Sequence, residues 1–149
     1  MDRAERRREL LELFHERAAI ARTFGMRLSF DEKDRAVITL PYNPGLDHGL
    51  GGVHGGVYAT LLDSAGWFAC AVARPEPCWI ATSEMSVHFL RPAIRVALRA
   101  VGEVLKPGKR QDVAQMYLWD ENGELVGHAT GTFLALPHIP RDTGNGGTP

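Results

Sequence analysis

Residues 47–68 read DHGLGGVHGGVYATLLDSAGWF. Two His-Gly pairs, at His48 and His54, stand six residues apart, and a single carboxylate, Asp63, follows among small and apolar residues. Over residues 54–72, Val57, Leu61, Ser64, Ala65, Phe68 and Val72 recur at helical spacing and predict one long central helix with a core-facing stripe. Pro75 and Pro77 in RPEPC end it, because proline cannot continue a helix. Upstream, PYNPGLDHGLGG is a loop by its proline and glycine content.

Around this helix the pattern changes. Residues 4–23 predict an amphipathic helix through Leu10, Leu11, Phe14, Ala18 and Ala21, with Gly25 ending it. Its Arg6-Arg7-Arg8 run is offset by Glu5, Glu9, Glu12 and Glu16, which marks a solvated face and not a binding patch. Met26, Leu28 and Phe30 alternate, DEKD turns, and Ala36, Ile38 and Leu40 alternate again, which is a hairpin. Strands are predicted at 79–90, 96–106, 110–119 and 125–134, with turns at Pro107-Gly108 and Asn122-Gly123. Helix, hairpin, long helix and a closing meander imply an α+β domain, its curved antiparallel sheet wrapped on the central helix. Residues 1–136 form one domain, with an extra N-terminal helix in 1–25, and residues 137–149 read as a disordered tail.

Composition narrows the function classes. At 149 residues, 44% hydrophobic and 23% charged, the chain is ordinary for a globular protein. A net charge of −1 gives no sign of a nucleic-acid or acidic-membrane partner. No apolar stretch reaches the roughly 18 residues that span a membrane, and MDRAERRRELLELFHERAAI lacks a signal-peptide core. Cys70 and Cys78 make neither zinc spacing nor a disulfide framework, so a reducing cytoplasm is the expected setting.

GGVHGGVYATLLDSAGWF, then TSEMSVHFLRPA about twenty residues after the acid, then GELVGHATGTFLAL, together resemble the hot-dog-fold acyl-CoA thioesterases of the phenylacetic-acid-degradation type. The likeness covers roughly residues 26–135. It implies a hot-dog fold, a sheet of five or six antiparallel strands around a central helix. It also implies acyl-CoA thioester hydrolysis without a metal or other cofactor, and homodimers that usually pair into homotetramers. A non-catalytic acyl-CoA-binding module of the same fold is the alternative, which Asp63 argues against. A dehydratase of that fold would want a His/Glu or Asp/His pair.

The residues carry a physical argument beside the resemblance. Gly55 and Gly56 open the central helix, where N–H groups are unpaired and the macrodipole is positive. Glycines there let a substrate carbonyl approach, and an N–H aimed at a developing oxyanion stabilises it. Gly55 is the first choice; a tight loop-to-helix junction is the other reading. Asp63 shares a stripe with Gly56, Ala59, Thr60, Gly66, Trp67 and Cys70. Burial would raise its pKa, which suits a general base or a nucleophile; a structural Asp bonded to a nearby Ser or Thr is the alternative. Gly55 and Asp63 are eight residues apart on one helix, roughly 12 Å at 1.5 Å per residue. One carbonyl cannot easily meet both, so the spacing argues for a two-fold pairing in which Asp63 of one protomer faces Gly55 of the other.

Further positions follow from the resemblance. His54 matches the histidine that holds the loop and the substrate carbonyl. An Asn six residues before it is replaced here by His48, so either His48 or Asn43 takes the polar assisting role, with Asp47 placed to orient His48. Thr82 matches a position that bonds the attacking water. Arg91, Gly108, Lys109 and Arg110, with Lys106, are candidates for CoA phosphates. His48, His54 and Asp47 are three candidate metal ligands, but they lack the spacing of a zinc site. Ser64 lacks a G-x-S-x-G elbow. Trp67, Phe68 and Trp79 suit an aryl or medium-chain pocket and the core equally well.

Overall fold

The computed structural model describes residues 1–142. Three helical pieces come first: α1 (Arg3–Glu12), a wide π turn (Leu13–Arg17) and α2 (Ala19–Phe24). The hairpin is β1 (Arg27–Phe30) and β2 (Ala36–Leu40); the central helix is α3 (Gly55–Ala73). Then follow β3 (Trp79–Phe89), β4 (Leu98–Lys106), β5 (Gln111–Asp120) and β6 (Leu125–Leu136). The six strands form one antiparallel sheet in the order β1-β2-β4-β5-β6-β3, with α3 packed on it and the N-terminal helices at its flank. This is the hot-dog architecture that the resemblance implies.

Several sequence expectations need correction. The N-terminal helix is not continuous. Ala18 is extended (φ −78°, ψ 99°), and the wide turn before it points Phe14 into the core, edge-on to Phe68 at 5.2 Å. The same turn lets His15 Nε2 accept the Leu28 N–H at 3.1 Å, which ties the helix to β1. Gly25 does end α2, with φ +84°. Nor is the Arg run a solvated face throughout: Arg6 is buried, and its guanidinium donates to Ala71 O at 3.0 and 3.2 Å and to Glu9. It thereby satisfies a carbonyl at the α3 C-terminus that no helical N–H reaches. The closing strands are not a simple meander. β3 and β4 are successive in the chain but lie apart, because β3 pairs with β6 and its other side is a sheet edge among the described residues.

By length and composition α3 is apolar enough to cross a membrane, which the sequence reading overlooked. Most of it is buried against its own sheet, as a core helix requires. The closeness of that packing is visible at Gly102 on β4, where a Cβ would stand 2.3 Å from the Ala65 carbonyl oxygen. Of the segment expected to be a disordered tail, residues 143–149 lie outside the described residues. The described part doubles back on the N-terminal helices, where Arg141 pairs with Glu9 at 2.5 Å and Arg17 pairs with Asp142.

Candidate active site

The central helix starts where the sequence places it. His54 is the N-cap (φ −62°, ψ 138°), and its Nδ1 accepts the Gly56 N–H at 2.8 Å. That bond occupies Gly56 and leaves Gly55 at the first helical position, where no carbonyl one turn back can take its N–H. The Phe89 ring covers this glycine: a Cβ on Gly55 would meet Phe89 Cε1 at 3.2 Å. Val53 N–H donates to Ala93 O at 2.9 Å, and the Tyr58 hydroxyl donates to Arg91 O at 2.7 Å. The HGG and FLRPA segments, some forty residues apart in the chain, are thus one surface around the helix start. Sequence reasoning missed Phe89 and Tyr58, because an aromatic at a strand end or on a helix reads as core.

Eight residues along α3, Asp63 accepts a hydrogen bond from the Thr82 hydroxyl at 2.6 Å. Burial raises the Asp63 carboxyl above the ordinary aspartate range, and the Thr82 bond partly opposes this. A carboxylate so placed is a better proton acceptor near neutral pH than an exposed one. Thr82 sits at an irregularity: the β3–β6 register shifts between Thr82 and Glu84, a bulge of the kind that re-aims a side chain. The predicted stripe around Asp63 splits in two. Gly66 and Cys70 face the sheet and are buried, whereas Gly56, Ala59, Thr60, Asp63 and Trp67 stay partly open. Cys70 is no competing nucleophile, since burial and the nearby Asp112 push its thiol up to about 12.

The loop residues are held by local hydrogen bonds. His48 is exposed, and its Nδ1 accepts the Leu50 N–H at 3.1 Å. Asp47 does not orient it: Asp47 Oδ2 accepts the Tyr42 hydroxyl at 2.8 Å. Asn43 Oδ1 accepts the Gly45 N–H at 2.9 Å, and its Nδ2 donates to Phe24 O at 3.3 Å, which anchors the loop to α2. Among the described residues no three His, Cys, Asp or Glu side chains cluster as metal ligands.

The cationic candidates sit at two ends of the sheet. Arg91 is exposed and pairs with Glu124 at 3.3 Å beside the β5–β6 turn. Gly108 donates its N–H to Asp112 at 2.9 Å at the β4–β5 turn, where Asp112 also pairs with Arg74 at 2.9 Å. Lys109 and Arg110 line a neighbouring cleft with Arg74 and His138. The ten residues of β5 separate the two groups, roughly 30 Å at 3.4 Å per residue. A single chain does not bring Arg91 and Lys109 to one phosphate.

Comparison with known proteins adds to this geometry. A sequence model described as the thioesterase superfamily matches residues 50–127. A Bacillus halodurans protein whose structure was solved with CoA is 31% identical, with 87% of each chain covered and a TM-score of 0.76. A thioesterase family protein from Silicibacter pomeroyi is 29% identical over 91% of this chain and 99% of its own, at a TM-score of 0.80. The E. coli PaaI protein of the phenylacetic acid degradation operon is 24% identical, covering 90% of this chain and 94% of its own at a TM-score of 0.78, a likeness of fold.

Proposed function

Since the chain belongs to the thioesterase superfamily, we propose that it hydrolyses acyl-CoA thioesters to free acid and CoA. Thioester hydrolysis in general follows from the membership; the acyl-CoA substrate and the residue roles are our reading. The observation that carries the roles is the desolvated Asp63 held at 2.6 Å by Thr82. As a general base, Asp63 takes a proton from water while the oxygen adds to the thioester carbonyl. Gly55 N–H stabilises the oxyanion, and collapse expels the CoA thiolate, which takes up the proton. As a nucleophile, Asp63 instead forms a mixed anhydride that water then cleaves. His54 holds the helix start open by occupying Gly56, and Thr82 positions Asp63.

The site is proposed to be shared in a homodimer, which pairs further into a homotetramer. Support comes from the spacing of Gly55 and Asp63, from the open face of α3 and from the free edge of β3. Leu50, Phe89, Leu90 and Ile94, all at least half exposed, add an apolar surface near the helix start that a partner would cover. CoA binding is supported by the Bacillus halodurans relative solved with CoA. Lys109 and Arg110 at one end, or Arg91 at the other, are proposed for its phosphates. Both cysteines are free thiols, which suits a cytoplasmic setting.

The test is free-thiol release over a panel of acyl-CoAs. Asp63→Asn is expected to lose about 10²–10⁴-fold in kcat, and full activity in that variant would remove the reading. A single turnover in ¹⁸O water separates the two chemistries, because only the nucleophilic route puts the label into the Asp63 carboxylate.

A further inference from the structure

The N-terminal helical segment, α3 and the start of β3 enclose a cleft of about 320 Å³. Its apolar walls are Leu10 and Leu13 from the helical segment, Trp67 from α3, and Cys78, Trp79 and Ile80 from the strand side. The charged groups that also line it are already paired with one another or with backbone: Arg6 with Ala71 O, Arg17 with Asp142, and Arg141 with Glu9. Glu9 serves both Arg6 and Arg141, so the charged groups are engaged with one another or with backbone at the cleft's rim, and its walls are apolar.

Its position relates it to the chemistry. Trp67 lies four residues beyond Asp63 on the same face of α3, roughly 6 Å along the axis. Ile80 lies two residues before Thr82, on the same face of β3. Helix and strand are joined by two successive rungs: Thr82 hydroxyl to Asp63 at 2.6 Å, and Trp67 indole N–H to Ile80 O at 2.8 Å. The first rung is the candidate catalytic pair; the second is a wall of the cleft. An acyl chain that leaves Asp63 toward the C-terminus of α3 passes Trp67.

Resting on the thioesterase reading above, we propose that this cleft receives the acyl chain and that the substrate is a medium-chain aliphatic acyl thioester. At about 30 Å³ per non-hydrogen group, the cleft admits roughly ten such groups, an acyl chain of about eight to ten carbons. Leu10 and Leu13 belong to the N-terminal helical segment, so chain length is gauged in part by residues outside the central helix and its sheet.

The experiment measures kcat/KM for acetyl- through hexadecanoyl-CoA with wild type, Leu13→Trp and Trp79→Ala. Wild type is expected to gain about fourfold per added methylene up to eight to ten carbons and then decline. Leu13→Trp fills the cleft and is expected to lower the octanoyl-to-acetyl ratio at least about tenfold. Trp79→Ala, at a side chain 45% exposed and so tolerant of change, is expected to move the optimum to longer chains. A wild type that cleaves all lengths alike, or two folded variants that keep the wild-type ratio, overturns the cleft proposal and leaves the thioesterase reading standing. If Leu13→Trp does not fold, Trp79→Ala decides. If wild type cleaves nothing, the thioesterase reading falls and calorimetry tests the cleft alone. Tighter binding of octanoyl-CoA than acetyl-CoA, with the difference reduced in the variants, retains the cleft; equal binding removes it.

Discussion

The shared site can be tested by complementation between two inactive variants. Gly55→Pro deletes the proposed oxyanion donor at the backbone. The position tolerates the change: proline is favoured at the first helical residue, and His54 before it already has the extended backbone that proline demands (ψ 138°). The exposed Phe89 ring, 3.2 Å from a Cβ there, can swing aside. Loss of one oxyanion donor is expected to cost about 10²–10³-fold in kcat. Asp63→Asn removes the other half. With the two groups roughly 12 Å apart on one helix, the proposed shared site draws Gly55 and Asp63 from different protomers. Equal amounts of the two variants, dissociated in mild denaturant and reassociated, give about half mixed dimers. Each mixed dimer holds one site with both groups intact and one with neither. Thiol release is therefore expected to recover to about one quarter of wild type. No recovery, with exchange of subunits verified by mass spectrometry, would refute the reasoning and return both groups to one chain.

Other consequences follow from single contacts. In Thr82→Val, Asp63 loses the donor that opposes its desolvation, so its carboxyl moves further up and the acid limb of the kcat/KM profile shifts to higher pH. Asp63→Asn tests the cost of the charge. Because the folded pKa is raised, stability from the neutral carboxyl is present below the ordinary aspartate range and lost as pH rises through the folded value. The Asn variant should melt above wild type near neutral pH, with the gap closing in acid, as Tm against pH will report. Arg6→Ala strands the Ala71 carbonyl at the α3 C-terminus and is expected to cost about 2–3 kcal/mol in urea unfolding, whereas Arg8→Ala, on an exposed side chain, should cost under about 0.5 kcal/mol.

Much of the molecule was legible because its signals are local. The long helix, its capped glycine start, the hairpin and the strands each rest on periodicity or on turn residues within a few positions. The Asp63–Thr82 contact was half legible: both residues stood out from the resemblance, and a Ser or Thr partner was one reading of the acid. Their meeting depends on a bulge in β3, for which the residue pattern has no simple mark. Asn43 and His48, candidates from the resemblance, are held by bonds that no residue pattern marks: Asn43 by the Gly45 N–H and Phe24 O, and His48 Nδ1 by the Leu50 N–H.

The sequence by itself determined which segments are helix and strand, which glycine opens α3 and which acid stands out on it. Backbone propensity and hydrophobic period act over single turns and need no partner. Tertiary structure decided that β3 lies beyond β6 and not beside β4, that Arg6 turns inward to α3, and that Trp67 and Ile80 border a cleft with the N-terminal helices. These depend on which distant surfaces meet, and the free energy that chooses among them comes from packing the whole core at once.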